Sequence, residues 1–137
     1  MEIDLTAEPH PVITARSTVR DALTARSVPD PIREDTVLVT CELVANAALH
    51  AGGPGMLQLT VLADGALRIA VSDASTEPPR RRQASLGRPG GHGLQVVHLL
   101  SRDWGTMAVP GGKTVWAEIP GDAPQAPGGP PKEVEGG

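Results

Sequence analysis

The N-terminal part of the chain alternates apolar and polar residues with a strand period and then changes to a helical period. Ile3 and Leu5 flank a charged residue, which predicts a short first strand over residues 2–7. Apolar residues then recur every three or four positions over residues 12–28, as on one face of a helix. The chain therefore begins with a strand that is followed by helical structure.

A second, longer helix is predicted from Asp30 to about His50. Asp30 stands before Pro31, and an N-cap followed by proline at the first helical position is a common way for a helix to begin. Gly52 and Gly53 are expected to end the helix. Its core face is predicted to consist of Leu38, Cys41, Ala45 and Leu49.

The remainder of the chain predicts two hairpins separated by a loop and a helix. The predicted strands cover residues 56–62, 66–72, 104–109 and 113–119, and the predicted helix covers residues 92–102. This order differs from the repeated βαβ units of a dinucleotide-binding fold. It predicts an α+β, two-layer sandwich whose mixed, mostly antiparallel sheet is covered on one face by about three helices.

Composition narrows the class of protein. Phe and Tyr are absent and Trp occurs twice, so the core must consist mainly of Val, Leu, Ile and Ala. A net charge of −4 predicts no direct binding to nucleic acid. The chain has no apolar run long enough for a membrane span, no signal peptide and a single cysteine, which together predict a cytoplasmic protein.

The last residues differ in composition from the rest. Residues 120–137 are rich in Pro and Gly and poor in apolar side chains, so they bury too little surface to offset the entropy of ordering. We expect one domain over residues 1–119 and a disordered tail over residues 120–137.

Two segments resemble phosphate-binding motifs but do not fit the context that those motifs require. Gly112-Lys113-Thr114 resembles the end of a P-loop, but Met107 replaces the required first glycine and a strand is predicted to follow instead of a helix. Gly91 and Gly93 resemble the start of a dinucleotide fingerprint that lacks its third glycine.

Glu42 and Asn46 are four residues apart on the second helix and therefore project from the same face. A carboxylate beside an apolar stripe is explained equally well by an ion pair with a nearby arginine or by a chemical role. In the second case the Asn46 oxygen suits Mg²⁺, and Glu42 is placed to accept a proton from a nucleophile.

Two further features lie downstream. Asp73 ends an apolar strand, where its carboxylate could accept a hydrogen bond from an exocyclic amine or simply close an Asx turn. Gly91 and Gly93 precede a helix whose N-terminus would favour a phosphate. A basic loop joins these features, and within it Arg88 lies nearest to the glycines.

These features, in this order, resemble the N, G1 and G2 boxes of the GHKL (Bergerat-fold) ATPase superfamily. The segments ELVANAALHAG, VSDASTEPP, GGHGLQVVHLLSRDWG and GGKTVWAEI resemble in particular those of the anti-sigma-factor serine/threonine kinases. The resemblance covers roughly residues 10–119, and the four segments are specific only in combination.

The resemblance implies ATP and Mg²⁺ as cofactors and a role for each matching residue. Glu42 would be the catalytic base and Asn46 the ligand of Mg²⁺, and Thr114 would lie beside adenine. The ATP-binding set would be Asn46, His50, Asp73, Arg88, Gly91, Gly93, Leu94 and Thr114.

The implied function is a regulatory kinase that sequesters a sigma factor and phosphorylates a serine on a STAS-domain anti-anti-sigma factor. The alternative is an ATP-gated protein-binding module without phosphotransfer. Histidine kinase activity is not expected, because the chain has no room for a dimerisation helix pair with a phospho-acceptor histidine. The oligomeric state is left open, although relatives commonly form homodimers.

Overall fold

The computed structural model describes residues 1–49, 52–74 and 93–121 of the chain. Within these residues, strands and helices follow one another in the order that the sequence predicts. The elements are β1 (Glu2–Asp4), α1 (Pro11–Ala25), α2 (Asp30–Ala48), β2 (Pro54–Val61), β3 (Leu67–Asp73), α3 (Gly93–Leu100), β4 (Asp103–Val109) and β5 (Gly112–Ile119).

The strands form one five-stranded sheet in the order β1-β2-β3-β5-β4. Each of the described pairings is antiparallel, so the α+β two-layer prediction is confirmed and the described sheet is antiparallel throughout. Both predicted hairpin turns are present, with Gly65 at φ 91° and Gly111 at φ 82°. These backbone angles favour glycine, because a Cβ makes them strained.

The two faces of the sheet differ in what covers them. Ile69 and Val71 on β3 are buried beneath the helices, opposite Ala117 and Val115 of β5. On the other face, the Arg68 guanidinium lies 4.4 Å from the ring centre of Trp116 and donates to the Glu118 carboxylate at 2.9 Å. The helices therefore cover one face of the sheet. The chemistry expected of Asp73 depends on whether its side chain lies on the covered or the uncovered face.

The predicted core face of α2 is wrong and lies nearly opposite the buried face of the helix. Leu38 is 43% exposed and Leu49 is 66% exposed, whereas Leu43 is buried. The true face includes Thr36 and Thr40, whose hydroxyls donate at 2.8 Å to backbone carbonyls one turn earlier. A threonine that satisfies its hydroxyl in this way can be buried, and a pattern that scores threonine as polar misplaces the face.

Two predicted boundaries also change. Pro29, and not Asp30, is the N-cap of α2, because the Asp30 carboxylate accepts a hydrogen bond from Arg33 instead of capping the helix. The first strand stops at Asp4, whose carboxylate accepts the backbone N–H of Thr6 at 2.9 Å and turns the chain.

Among the described residues, no helix combines the length and the apolar character that crossing a membrane requires.

Candidate nucleotide-binding site

The C-terminal half of α2 carries the first part of the candidate site. This helix packs against α1, α3 and strands β2, β3 and β5, so its buried positions are enclosed on several sides. Glu42 and Asn46 are both half-buried on it, one turn apart. The helix thus holds a carboxylate and an amide at the edge of the core, where neither would be expected without a polar partner.

The Asn46 side chain has an unsatisfied polar atom. Its Nδ2 is buried and makes no hydrogen bond with the residues that the structure describes. A buried amide without a partner costs free energy, so such a group in a folded protein calls for an explanation. The two ends of an Asn amide have nearly the same shape, so its oxygen can take that buried position and face a cation or a bound water.

Glu42 lies in a similarly unmatched environment. Burial raises the pKa of the Glu42 carboxyl above its ordinary value of 4.5. No ion pair to Glu42 is formed within the described parts of the chain, so the arginine partner that was the alternative explanation is not found there. Partial burial therefore makes the Glu42 carboxylate more basic than an exposed one.

Asp73 ends β3 on the helix-covered face and is buried, as the sequence predicts for a carboxylate at the mouth of the core. Its two oxygens lie 3.2 and 3.0 Å from the Lys113 ammonium. The two side chains are 0% and 5% exposed, respectively. The residue expected to recognise adenine is therefore held in a buried ion pair.

Lys113 is a functional candidate that the sequence analysis set aside together with the rejected P-loop. It stands directly opposite Asp73 in the β3–β5 register, and opposed residues of an antiparallel pair project to the same face. The sequence does contain the signal, which is a lysine at the second position of β5. Recognising the signal requires knowledge of the register between β5 and the strand that ends at Asp73.

Thr114 lies next to Lys113 on β5, and its expected place beside adenine stays a prediction. It stands opposite Ser72, one position from the Asp73–Lys113 pair, so its side chain projects from the uncovered face of the sheet. Because successive residues of a strand alternate between faces, the Thr114 side chain lies on the face opposite to the Asp73 carboxylate. Lys113 shares the face of Asp73.

The backbone approaches itself closely where these elements meet. A Cβ on Gly112 would lie 1.9 Å from the Asp73 carbonyl oxygen and 2.9 Å from the Ala74 Cα. A Cβ on Gly52, just beyond α2, would lie 2.6 Å from the Ala74 Cβ. The chain after α2, the end of β3 and the start of β5 therefore converge at Ala74, and two glycines permit this contact.

The helix α3 supplies the last part of the candidate site that the structure describes. It begins at Gly93, and the Leu94 and Val97 side chains are buried in the core, as predicted. The first N–H groups of a helix have no partner within it and point out of its N-terminus. Leu94 therefore anchors the helix by its side chain and offers only its backbone to a ligand.

The remaining predicted residues lie outside the described part of the chain. They are His50, Arg88 and Gly91 of the ATP-binding set and residues 122–137 of the predicted tail.

No group of three or more His, Cys, Asp and Glu side chains within the described ranges could hold a metal ion. A Mg²⁺ ion at Asn46 would therefore depend on phosphate oxygens and water for most of its ligands, as Mg²⁺ commonly does in nucleotide sites.

Comparison with known proteins identifies the family. Residues 5–119 match the histidine kinase-like ATPase domain family. The chain belongs to this family. Membership confirms the resemblance to the GHKL superfamily and implies a nucleotide-binding domain of kinase or ATPase type.

Solved structures of similar fold agree with this assignment. The RsbU and RsbW domains of Rv1364c from Mycobacterium tuberculosis align with a TM-score of 0.66 at 21% identity, over 87% of this chain and 31% of that one. The SiaB–SiaC complex from Pseudomonas aeruginosa aligns with a TM-score of 0.65 at 14% identity, over 87% and 88% of the two chains. The blue-light activated histidine kinase EL346 from Erythrobacter litoralis aligns with a TM-score of 0.53 at 21% identity, over 87% and 42%.

This histidine kinase-like ATPase domain spans about a third of the Mycobacterium protein and most of the Pseudomonas chain. At these identities the likeness establishes the fold alone. Curated protein sequences gave no significant match.

Proposed function

We propose that this domain binds ATP with Mg²⁺ and transfers the terminal phosphoryl group to a serine of a partner protein, as a regulatory kinase of the anti-sigma-factor type. The observation that carries the proposal is the pair Glu42 and Asn46 on α2. The Asn46 Nδ2 is buried without a described hydrogen-bond partner, and burial raises the pKa of the Glu42 carboxyl, which has no described cationic partner. Neither group has a structural explanation among the described residues, and both have a chemical one.

The positions of these groups support the binding roles that we propose. Asp73 would accept the exocyclic amine of adenine, and the first N–H groups of α3, at Gly93 and Leu94, would hold phosphate oxygens. Asn46 would hold Mg²⁺, which supplies neutralisation of the phosphate charge when it is bound. His50, Arg88, Gly91 and Thr114 remain members of the proposed ATP-binding set by their positions in the sequence.

Glu42 would act on the acceptor hydroxyl. Its carboxylate accepts the hydroxyl proton as the serine oxygen bonds to the terminal phosphorus, and the bond from that phosphorus to the bridging oxygen breaks to release ADP. A general base of this kind contributes about 10²–10⁴-fold to the rate of such a step. A pKa raised by burial brings the carboxyl closer to neutral pH, which strengthens it as a base.

The partners we propose are a sigma factor, which the domain would sequester, and a STAS-domain antagonist, which would be phosphorylated. The likeness in fold to the RsbW domain and to a chain of the SiaB–SiaC complex supports this class of partner. A regulator of this kind would act in the cytoplasm, where ATP and sigma factors are present.

A second candidate is a nucleotide-gated binding module that does not transfer phosphate. The buried Asp73–Lys113 pair favours it, because the carboxylate proposed to read adenine already has a cationic partner. Weak or conditional nucleotide binding is sufficient for a gate, since the ligand only has to shift a conformational equilibrium.

Calorimetry and phosphotransfer together separate the two candidates. We expect wild type to bind a non-hydrolysable ATP analogue in a Mg²⁺-dependent manner, and Asn46→Ala to lose that dependence. Gln58→Ala, which removes an exposed amide on β2, serves as the matched control. Unchanged Mg²⁺-dependent binding by Asn46→Ala would remove Asn46 from the site.

Transfer is then measured with labelled ATP, Mg²⁺ and candidate STAS proteins. A kinase loses transfer in Glu42→Gln by about 10²-fold or more while nucleotide affinity is kept. Nucleotide binding without transfer to any STAS candidate would favour the gated module.

A further inference from the structure

Lys113 is an unusual residue at a site expected to read a neutral amine. It is buried on the helix-covered face, at the start of β5, directly opposite Asp73. Lysine is strongly hydrated, so burying its ammonium is unfavourable unless a carboxylate and hydrogen bonds compensate. The short distances to both Asp73 oxygens, 3.2 and 3.0 Å, provide that compensation.

The Asp73 carboxylate would meet two hydrogen-bond donors that differ in charge. Lys113 offers a charged ammonium with three N–H donors, whereas the 6-amino group of adenine is a neutral donor. Both hydrogen bonds involve the ionised carboxylate, but only the one from Lys113 also has the Coulomb attraction between opposite charges. A base that approaches Asp73 must therefore share the carboxylate with Lys113 or displace it.

The Asp73–Lys113 pair also changes which purine bases the proposed site can accommodate. A lone carboxylate accepts the adenine amine and repels the 6-oxo group of hypoxanthine, because both are acceptors. With the ammonium beside it, the pair presents one acceptor and one donor. It can therefore satisfy a 6-oxopurine, whose oxygen accepts from lysine while its ring N–H donates to the carboxylate.

We infer that Lys113 is an internal competitor for the base, and that it lowers the affinity of the site for 6-aminopurine nucleotides and relaxes the choice between 6-amino and 6-oxo purines. The inference rests on the proposed nucleotide site and assigns its base-selectivity residue. Lys113 acts on the base by competing for the Asp73 carboxylate and by donating to a 6-oxo group, and it takes no part in phosphoryl transfer.

The test is calorimetric titration of the full chain with ADP and with inosine diphosphate, both with Mg²⁺. Wild type is compared with Lys113→Met, which removes the donor, and with Lys113→Gln, which keeps a neutral donor. Arg26→Gln controls for the loss of one positive charge at an exposed position outside the candidate site. Because Lys113→Met removes the ammonium from beside a buried carboxylate, thermal unfolding checks that the variant is folded, and Lys113→Gln carries the test if it is not.

We expect Lys113→Met to bind ADP about tenfold more tightly than wild type, the scale of one hydrogen bond to a charged group. The ratio of ADP affinity to inosine diphosphate affinity should rise by at least the same factor, with Lys113→Gln in between and Arg26→Gln unchanged. A purely structural role would alter affinity for both nucleotides alike and leave the ratio unmoved.

The alternative outcomes separate the inference from the proposed function. Equal or weaker ADP binding by both folded Lys113 variants, with an unchanged ratio, would overturn the inference and leave the nucleotide site in place. If neither wild type nor any folded variant binds either nucleotide, the proposed function fails and the inference fails with it.

Discussion

Gly112 lies where the start of β5 touches the end of β3, and we predict that Gly112→Ala is among the most damaging single-methyl changes in the domain. The added Cβ would lie 1.9 Å from the Asp73 carbonyl oxygen and 2.9 Å from the Ala74 Cα. Both are backbone atoms, so no rotamer change relieves the overlap. The strands have to separate at the point where Asp73 and Lys113 are paired.

The expected magnitude is at the upper end of the range for over-packing, about 3 kcal/mol of unfolding free energy. With a urea m-value of about 2 kcal/mol/M, the unfolding midpoint should fall by about 1.5 M. Trp104 and Trp116 provide the fluorescence signal for the titration. Nucleotide affinity should fall as well, because the change displaces the carboxylate proposed to read the base.

Gly105→Ala is the matched control. It also adds a methyl group on a strand, but the nearest atom to its Cβ is in the Trp116 ring at 3.2 Å, and a side chain can shift. We expect a cost of about 1 kcal/mol or less. A Gly112→Ala protein that is no less stable than Gly105→Ala would refute the close approach between β3 and β5.

Three further outcomes are expected. Leu43→Ala should destabilise the fold by about 2–5 kcal/mol, whereas Leu38→Ala should cost less than about 0.5 kcal/mol, because Leu43 is buried and Leu38 is exposed. Equal effects of the two changes in urea unfolding would instead support the core face predicted from the sequence. Glu42→Gln should become progressively more stable than wild type as the pH rises from below 4.5 through the raised pKa of Glu42 in the folded protein. Burial penalises the ionised carboxylate of wild type, whereas Gln does not ionise. A stability difference that does not change with pH would contradict the partial burial of Glu42. Arg68→Ala should lower the free energy of unfolding by about 1 kcal/mol, because it loses the contacts with the Trp116 ring and Glu118, whereas Arg26→Ala should be near neutral. If the thermal unfolding curves of these two variants coincide, Arg68 does not stack on Trp116 as described.

The sequence predicted the order and type of the elements well, because each has a clear period or turn signal. The hairpin turns at Gly65 and Gly111, the strand ending at Asp73 and the helix after Gly93 all follow from local residues. Such features depend on neighbours in the sequence, and local patterns report them directly.

Features that depend on packing were not predicted. Thr36 and Thr40 are buried because they return hydrogen bonds to their own helix, and this moved the core face of α2 away from Leu38. The position of Thr114 on the uncovered face and the pairing of Lys113 with Asp73 depend on the β3–β5 register. A shift of one residue in register exchanges the two faces of a strand, so residue type alone cannot assign them.

The central claim is that Asn46, Asp73 and the start of α3 bind one adenine nucleotide. A crystal structure of the domain with saturating ADP and Mg²⁺ tests it most directly. We predict the adenine amine on the Asp73 carboxylate, phosphate oxygens on the backbone of Gly93 and Leu94, and the metal ion at Asn46. Nucleotide bound elsewhere on the surface, or a saturated crystal with none of these groups in contact with it, would contradict the claim.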